Sequence, residues 1–171
     1  MQNFIIRITQ ENFKCLNNER FSCFILPENI TEQFATEFAQ RAHKMQKLVL
    51  VEGTKAADLY TKYGADGLIL DTSKEEKPEK TVKALQKKAP HAVLGVVCRN
   101  RRHEAMLVSE CEPDFVIFKV WQDGLEKSKE LLSWYAEFFL IQCAAQIEDK
   151  ADYADLAADL VILNDVEVNG K

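Results

Sequence analysis

Several polar residues stand directly after short apolar runs, and their types could support chemistry. Glu52 follows the run at 47–51, and Asp71 follows the run at 65–70. Carboxylates at the ends of two neighbouring strands could hold Mg²⁺ together with a substrate phosphate, because Mg²⁺ prefers oxygen ligands. Mg²⁺ is the one cofactor for which the sequence offers candidate ligands. The alternative is that both acids cap the following helices or lie in solvent.

A basic segment, Cys98-Arg99-Asn100-Arg101-Arg102-His103, follows another apolar run and opens a helical pattern. Cations at a helix N-terminus oppose the helix dipole. One explanation is an anion site, in which Arg99 and Asn100 act with the free N–H groups. The alternative is that Arg101 and Arg102 point outward and pair with surface acids. Arg99 is the member of this segment expected to face the site.

Three more polar residues, Lys119, Gln146 and Asn164, stand at or just past the ends of later apolar runs. Lys119 could reach a phosphate, and the two amides could add hydrogen bonds to it. The alternatives are a surface lysine and amides that satisfy loop backbone. A catalytic thiol at Cys98 would need an activating base and a lowered pKa. No residue is assigned a catalytic role.

One pattern recurs around these positions and indicates how they are held. A helical segment runs into an aspartate, Asp66, Asp114 or Asp159, which opens an apolar run that ends at a polar residue. Repeated helix–turn–strand units predict a parallel sheet built from βα units. In such folds the chemistry lies just past the carboxyl ends of the strands.

The predicted strands occupy 3–8, 22–26, 47–51, 65–70, 92–97, 114–120, 139–144 and 159–164. The predicted helices occupy 30–44, 54–63, 72–89, 101–110, 124–137 and 149–157, with Asn29, Thr54 and Thr72-Ser73 as N-caps and a frayed tail over 165–171. Eight strands alternating with helices predict an α/β fold, a compact (β/α)8 TIM barrel that forms a single domain over 1–171. It would have short loops and a reduced first helix. The alternative is an open doubly wound sheet, although no G-x-G-x-x-G follows a strand.

Composition narrows the function classes. The formal net charge of −5 argues against a general nucleic-acid binder. No window reaches the apolar length of a membrane helix, and no signal peptide is recognised. The five cysteines contain no C-x-x-C pair, which favours reduced thiols in a cytoplasmic protein over a disulfide framework or a zinc site. The expected partner is a small molecule, with neither nucleic acid nor membrane.

Three segments resemble a known family. YGADGLIL at 63–70 resembles the GADGVHL segment of thiamine phosphate synthase and its TenI-like relatives. VLGVVC at 93–98, followed by HEA at 103–105, resembles that family's IGVS…EA strand and helix, and PDFV at 113–116 sits where the family has GADYV. The resemblance implies a TIM barrel and a transferase of thiamine biosynthesis. The family joins a hydroxymethylpyrimidine diphosphate to a thiazole phosphate with the help of Mg²⁺.

The chain departs from that family at its functional positions. LPEN at 26–29 replaces a basic LREK-type segment, FK at 118–119 replaces Gly-Pro, and AAQ at 144–146 replaces the phosphate-binding GGI. The resemblance therefore implies a divergent member that binds a phosphorylated small molecule, with degenerate or lost synthase activity. One alternative is a non-catalytic interaction protein, for which a homodimer is one form. Another is an enzyme that acts on a different phosphorylated substrate through Arg99 and Lys119.

Overall fold

Eight parallel strands close into a barrel in sequence order in the computed structural model, which describes residues 3–148 and 155–168. The strands are β1 Asn3–Arg7, β2 Cys23–Leu26, β3 Leu48–Val51, β4 Gly67–Asp71, β5 Val93–Val97, β6 Phe115–Lys119, β7 Gln142–Gln146 and β8 Leu160–Asn164. Closure is made by β1 and β8, which pair in register from Asn3↔Leu160 to Arg7↔Asn164. The predicted TIM barrel is confirmed, and the open sheet is wrong.

The described residues form five α-helices around the barrel. They are α1 Glu32–Lys44, α2 Ala56–Tyr63, α3 Pro78–Lys88, α4 Arg102–Glu110 and α5 Leu125–Phe138. Only a 3-10 turn, Lys14–Asn17, lies between β1 and β2, which confirms the predicted reduction of the first helix. Within the described ranges no helix is long and apolar enough to cross a membrane. Of the helix predicted over 149–157, residues 149–154 lie outside the described residues, and 155–157 are not helical.

The predicted N-caps were wrong in each case. Helix α1 is capped by Thr31, whose hydroxyl accepts from the N–H of Phe34 at 3.3 Å. Thr54 instead donates its hydroxyl to Glu28, and Thr72 donates to the carbonyl of Val97. Small polar side chains compete for any nearby backbone or carboxylate partner, and after a strand the closest partners belong to the neighbouring strand or loop.

The start of β7 was also predicted wrongly. Phe139 does not begin the strand. It lies at the C-terminal end of α5, where its ring stacks on that of Tyr135 with ring centroids 4.7 Å apart. Leu140 is fully exposed, and the strand begins only at Gln142. The prediction of a frayed tail from residue 165 was wrong for its first residue. Asp165 is completely buried and accepts hydrogen bonds from Thr9 and Gln10.

The three recurring aspartates join neighbouring strands at the amino end of the barrel. The Asp114 carboxylate accepts from the N–H of Leu94 at 2.7 Å, and its own N–H donates to the carbonyl of the same residue at 2.9 Å. Asp66 makes this two-way contact with Val49, and Asp159 makes it with Cys143. Each aspartate therefore fixes the register between an odd-numbered strand and the next even-numbered strand.

The barrel interior is filled by one apolar cluster. Its buried members are Ile5, Ile25, Leu50, Ile69, Val97, Phe115, Ile117, Ala144 and Ile162. Side chains alternate along a strand, so the residue two positions further on faces the same way. The strands thus place a polar layer directly above the apolar interior, at the carboxyl end of the barrel.

Candidate functional site

A cavity of about 640 Å³ opens at the carboxyl end of the barrel, above the apolar interior. Its charged and amide lining residues are Arg7, Glu28, Asn29, Glu52, Asp71, Glu75, Lys119 and Gln146. Arg7, Glu52, Asp71, Lys119 and Gln146 each lie two residues after an interior apolar residue of the same strand segment. The volume falls in the range of small-molecule sites, and this face is where TIM barrels carry their sites.

Arg7 is one of the lining residues that sequence reasoning missed, together with Glu28, Asn29 and Glu75. It ends β1 and lines the cavity, and its Nε donates to the carboxylate of Glu52, which follows β3. The two side chains are 29% and 22% exposed, so the ion pair is only partly open to solvent. This contact fixes Glu52 beside a cation at the cavity wall.

Lys119 and Asp71 form the second charged pair of the cavity. Lys119 Nζ lies 3.7 Å from Asp71 Oδ2, longer than a hydrogen bond. The other carboxylate oxygen of Asp71 accepts from the N–H and the hydroxyl of Ser73, at 2.9 and 2.6 Å. Gln146 lies next to Lys119 in the register of β6 and β7. The structure therefore brings together four of the predicted site residues: Glu52, Asp71, Lys119 and Gln146.

The remaining predicted site residues lie outside the lining of this cavity. Arg99 donates from Nε to the carbonyl of Ser73 at 2.6 Å, and its Nη1 lies 3.7 Å from Glu104. Asn100 donates to the backbone carbonyl of Lys119 at 2.8 Å, so it braces the end of β6. Asn164 ends β8 beside Arg7 in the strand register. A direct role of Arg99, Asn100 or Asn164 in phosphate binding stays a prediction.

The carboxylates do not fit a resident Mg²⁺ site formed by protein side chains alone. Glu52 and Asp71 have the required oxygen donors, but Glu52 is already paired with Arg7, and Asp71 lies in a looser pair with Lys119. Across the described parts of the chain, no group of three or more His, Cys, Asp or Glu residues could hold a metal ion. Mg²⁺ keeps most of its shell as water and substrate phosphate, so a metal role of Glu52 and Asp71 together with a ligand's phosphate stays a prediction.

The thiols near the strand ends are poor nucleophiles. Burial raises the pKa of the Cys143 thiol to about 11, and it raises that of Cys98 still further. A thiol attacks as its thiolate, and burial in apolar surroundings suppresses the thiolate. Within the described ranges no hydrogen bond joins Cys98 to His103, so the structure offers no activated Cys–His pair.

Glu28 occupies a fixed place on the cavity wall. Its carboxylate accepts from the Thr54 hydroxyl at 3.3 Å and from the N–H of Lys55 at 3.4 Å. Gly53 permits this placement. A Cβ there would lie 2.1 Å from the Glu28 carboxylate, and its φ of +113° disfavours other residues. The glycine after β3 therefore keeps an acidic group in the cavity.

Comparison with known proteins agrees with the fold and gives partial support to the family resemblance. The chain is 37% identical over 62 residues to thiamine-phosphate synthase from Erythrobacter litoralis. This match covers 32% of the chain and only 29% of the length of that relative. No family model matches the chain.

Two solved structures illustrate the likeness in fold. A mutant tryptophan synthase alpha-subunit from Pyrococcus furiosus aligns with a TM-score of 0.72 at 9% identity, over 95% of this chain and 86% of that one. KGPDC from Streptococcus mutans aligns with a TM-score of 0.64 at 12% identity, over 100% and 90% of the two chains. At such low identity these similarities show the TIM-barrel fold alone.

Proposed function

We propose that the protein binds a phosphorylated small molecule in the cavity at the carboxyl end of the barrel. The observation that carries the proposal is the placement of Lys119 and Gln146 side by side on the cavity wall. The lysine supplies a charge, and the amide supplies a hydrogen-bond donor to the same anionic group. Arg7 adds a second cation on the wall formed by β1.

We further propose that the chain is a divergent relative of thiamine phosphate synthase with reduced or lost synthase activity. Partial similarity to one such enzyme supports the relationship. Reduced activity is supported by the cavity lining, in which Glu28 and Asn29 stand where the family has a basic segment. If activity remains, it is that of a transferase. Mg²⁺ enters the proposal only as an ion carried by the ligand's phosphate.

Calorimetric titration tests the binding proposal. Thiamine phosphate, thiazole phosphate and pyrophosphate are titrated with and without Mg²⁺ into the unaltered protein. We expect at least one of these ligands to bind with measurable heat. We also expect Lys119→Met to reduce the affinity for that ligand at least fivefold. Lys88→Met is the matched control, because Lys88 lies on the outside of α3 and pairs only loosely with Asp58, at 4.0 Å. The absence of any heat of binding with all three ligands, with and without Mg²⁺, would refute the proposal.

Synthase activity is measured separately, as thiamine phosphate formed from the two family substrates. A divergent site predicts turnover far below the range of about 1–10³ s⁻¹ typical of enzymes. Turnover within that range would contradict the loss of activity and leave the binding proposal intact.

A second candidate function is that of a non-catalytic interaction protein. It is favoured by two large apolar side chains that project where α5 ends, Phe138 at 65% and Leu140 at 102% exposure. Exposed apolar groups close together are typical of contact surfaces. Light scattering tests whether the protein forms a homodimer, and Leu140→Asp should then release monomers. A monomer at all accessible concentrations would count against self-association.

A further inference from the structure

We infer that the ligand of the cavity carries a positive charge in addition to its anionic group. The inference rests on the proposed binding of a phosphorylated molecule and adds the charge of the ligand's other end. The cavity is not uniformly basic, as a site for a simple phosphate would be. Two cations and four carboxylates line it: Arg7, Lys119, Glu28, Glu52, Asp71 and Glu75.

The charges are arranged in order around the barrel. Glu28 follows β2, Glu52 follows β3, and Asp71 ends β4, with Glu75 in the next loop. These form an acidic arc over three neighbouring strands. In a closed barrel of eight strands, β6 lies opposite β2, and β7 lies opposite β3. Lys119 and Gln146, which end β6 and β7, therefore lie opposite Glu28 and Glu52, while the Lys119 ammonium also reaches Asp71 at the near end of the arc.

Half of the acidic arc has no cation of its own. Glu52 is paired with Arg7, and Asp71 lies beside Lys119. In the part of the chain that the structure describes, Glu28 and Glu75 belong to no ion pair. The hydrogen bonds of Glu28 come from a hydroxyl and a backbone N–H, which leave its negative charge uncompensated.

A dianionic ligand without a cation would meet repulsion from these two carboxylates. A ligand with its phosphate at Lys119 and Gln146 and a protonated or quaternary nitrogen near Glu28 and Glu75 meets attraction at both ends. Like-charge repulsion against the wrong ligand is a common source of specificity. The arrangement thus selects ligands that carry an anion at one end and a cation at the other.

The test compares two phosphate esters that differ in one ammonium group, 3-aminopropyl phosphate and propyl phosphate. Calorimetry at low salt should show the amino ester binding about fivefold or more tightly, the size of a partly exposed charge contact. The preference should shrink as salt is raised, because both carboxylates are exposed and screened. In the double variant Glu28→Gln/Glu75→Gln the preference should fall to about one, mainly through tighter binding of propyl phosphate.

The matched control is Glu37→Gln/Glu130→Gln, which removes two acids from the outer helices α1 and α5 and should leave the preference unchanged. Equal affinity of the unaltered protein for both esters, or a preference that survives in the double variant, would overturn the inference while leaving phosphate binding in place. If neither of these esters nor any phosphorylated ligand binds, the underlying binding proposal fails instead.

Discussion

Lys119 Nζ lies 3.7 Å from Asp71 Oδ2 at the carboxyl end of the barrel, with the end of β5 between their strands. Because Asp71 is 51% exposed, its hold on the lysine is weak. An arriving anion therefore competes with a neighbouring carboxylate for Lys119. This competition makes the anion affinity of the cavity sensitive to substitutions of the acid as well as of the base.

Removal of the competing carboxylate should strengthen anion binding. Asp71→Asn keeps the shape of the side chain and removes its charge. We expect inorganic phosphate to bind about two- to fivefold more tightly, a change that corresponds to the free energy of one exposed ion pair. Calorimetry measures the change. Asp58→Asn is the control, because Asp58 forms a longer and more exposed pair with Lys88 away from the cavity. Unchanged or weaker phosphate binding in Asp71→Asn would show that Asp71 does not compete for the lysine.

The aspartate joints should contribute measurably to stability. Asp114→Ala removes a carboxylate that accepts from the N–H of Leu94, and we expect a loss of about 1–2 kcal/mol in the free energy of unfolding. Urea unfolding followed by circular dichroism measures this loss. Asp123→Ala, at an exposed position before α5, should change the free energy by less than about 0.5 kcal/mol. Equal effects of the two substitutions would refute the role of the joint.

Gly67 should tolerate no side chain. A Cβ at this position would lie 2.0 Å from the carbonyl oxygen of Val93 on the paired strand β5. Gly67→Ala must push two hydrogen-bonded strands apart, so we expect a destabilisation of about 1–3 kcal/mol or more. Gly64→Ala is the comparison. That Cβ meets nothing within 4 Å, and only the φ of +66° opposes it, at about 1 kcal/mol. A smaller effect at Gly67 than at Gly64 would contradict the close approach.

Alkylation of the cysteines should follow their burial. Burial raises the pKa of Cys15 to about 12 and that of Cys143 to about 11, so at pH 8 almost no thiolate forms at either residue. Both should resist iodoacetamide in the folded protein, with rates that rise as the pH climbs toward 11. Cys111 is only partly buried and should react first. Mass spectrometry of labelled peptides identifies the order, and early labelling of Cys143 would contradict its burial.

The fold could be predicted from the sequence because local signals agreed along the chain. Asp66, Asp114 and Asp159 each marked the entry to a strand, and the structure gives all three the same pairing role. The start of β7 was misplaced because Phe139 and Leu140 have the composition of a buried strand. Whether aromatic residues cover a helix end or enter the sheet depends on tertiary packing.

The candidate site could be predicted in part. Glu52, Asp71 and Lys119 were found because each closes an apolar run at the carboxyl end of the barrel. Arg7 was missed because it lies inside the predicted strand 3–8, although its position two residues after Ile5 was the available signal. Arg99 turns to Ser73 and Glu104 instead of the cavity, and its contact with Ser73 depends on the β4–α3 loop, whose path the sequence did not define.

The central claim is that Lys119 holds an anionic ligand in the cavity. Its most direct test is titration of pyrophosphate into the unaltered protein, Lys119→Met and Lys88→Met under the same low-salt conditions. The account predicts saturable binding to the unaltered protein and to Lys88→Met, with affinity reduced at least fivefold in Lys119→Met. Equal pyrophosphate binding by all three proteins would contradict it.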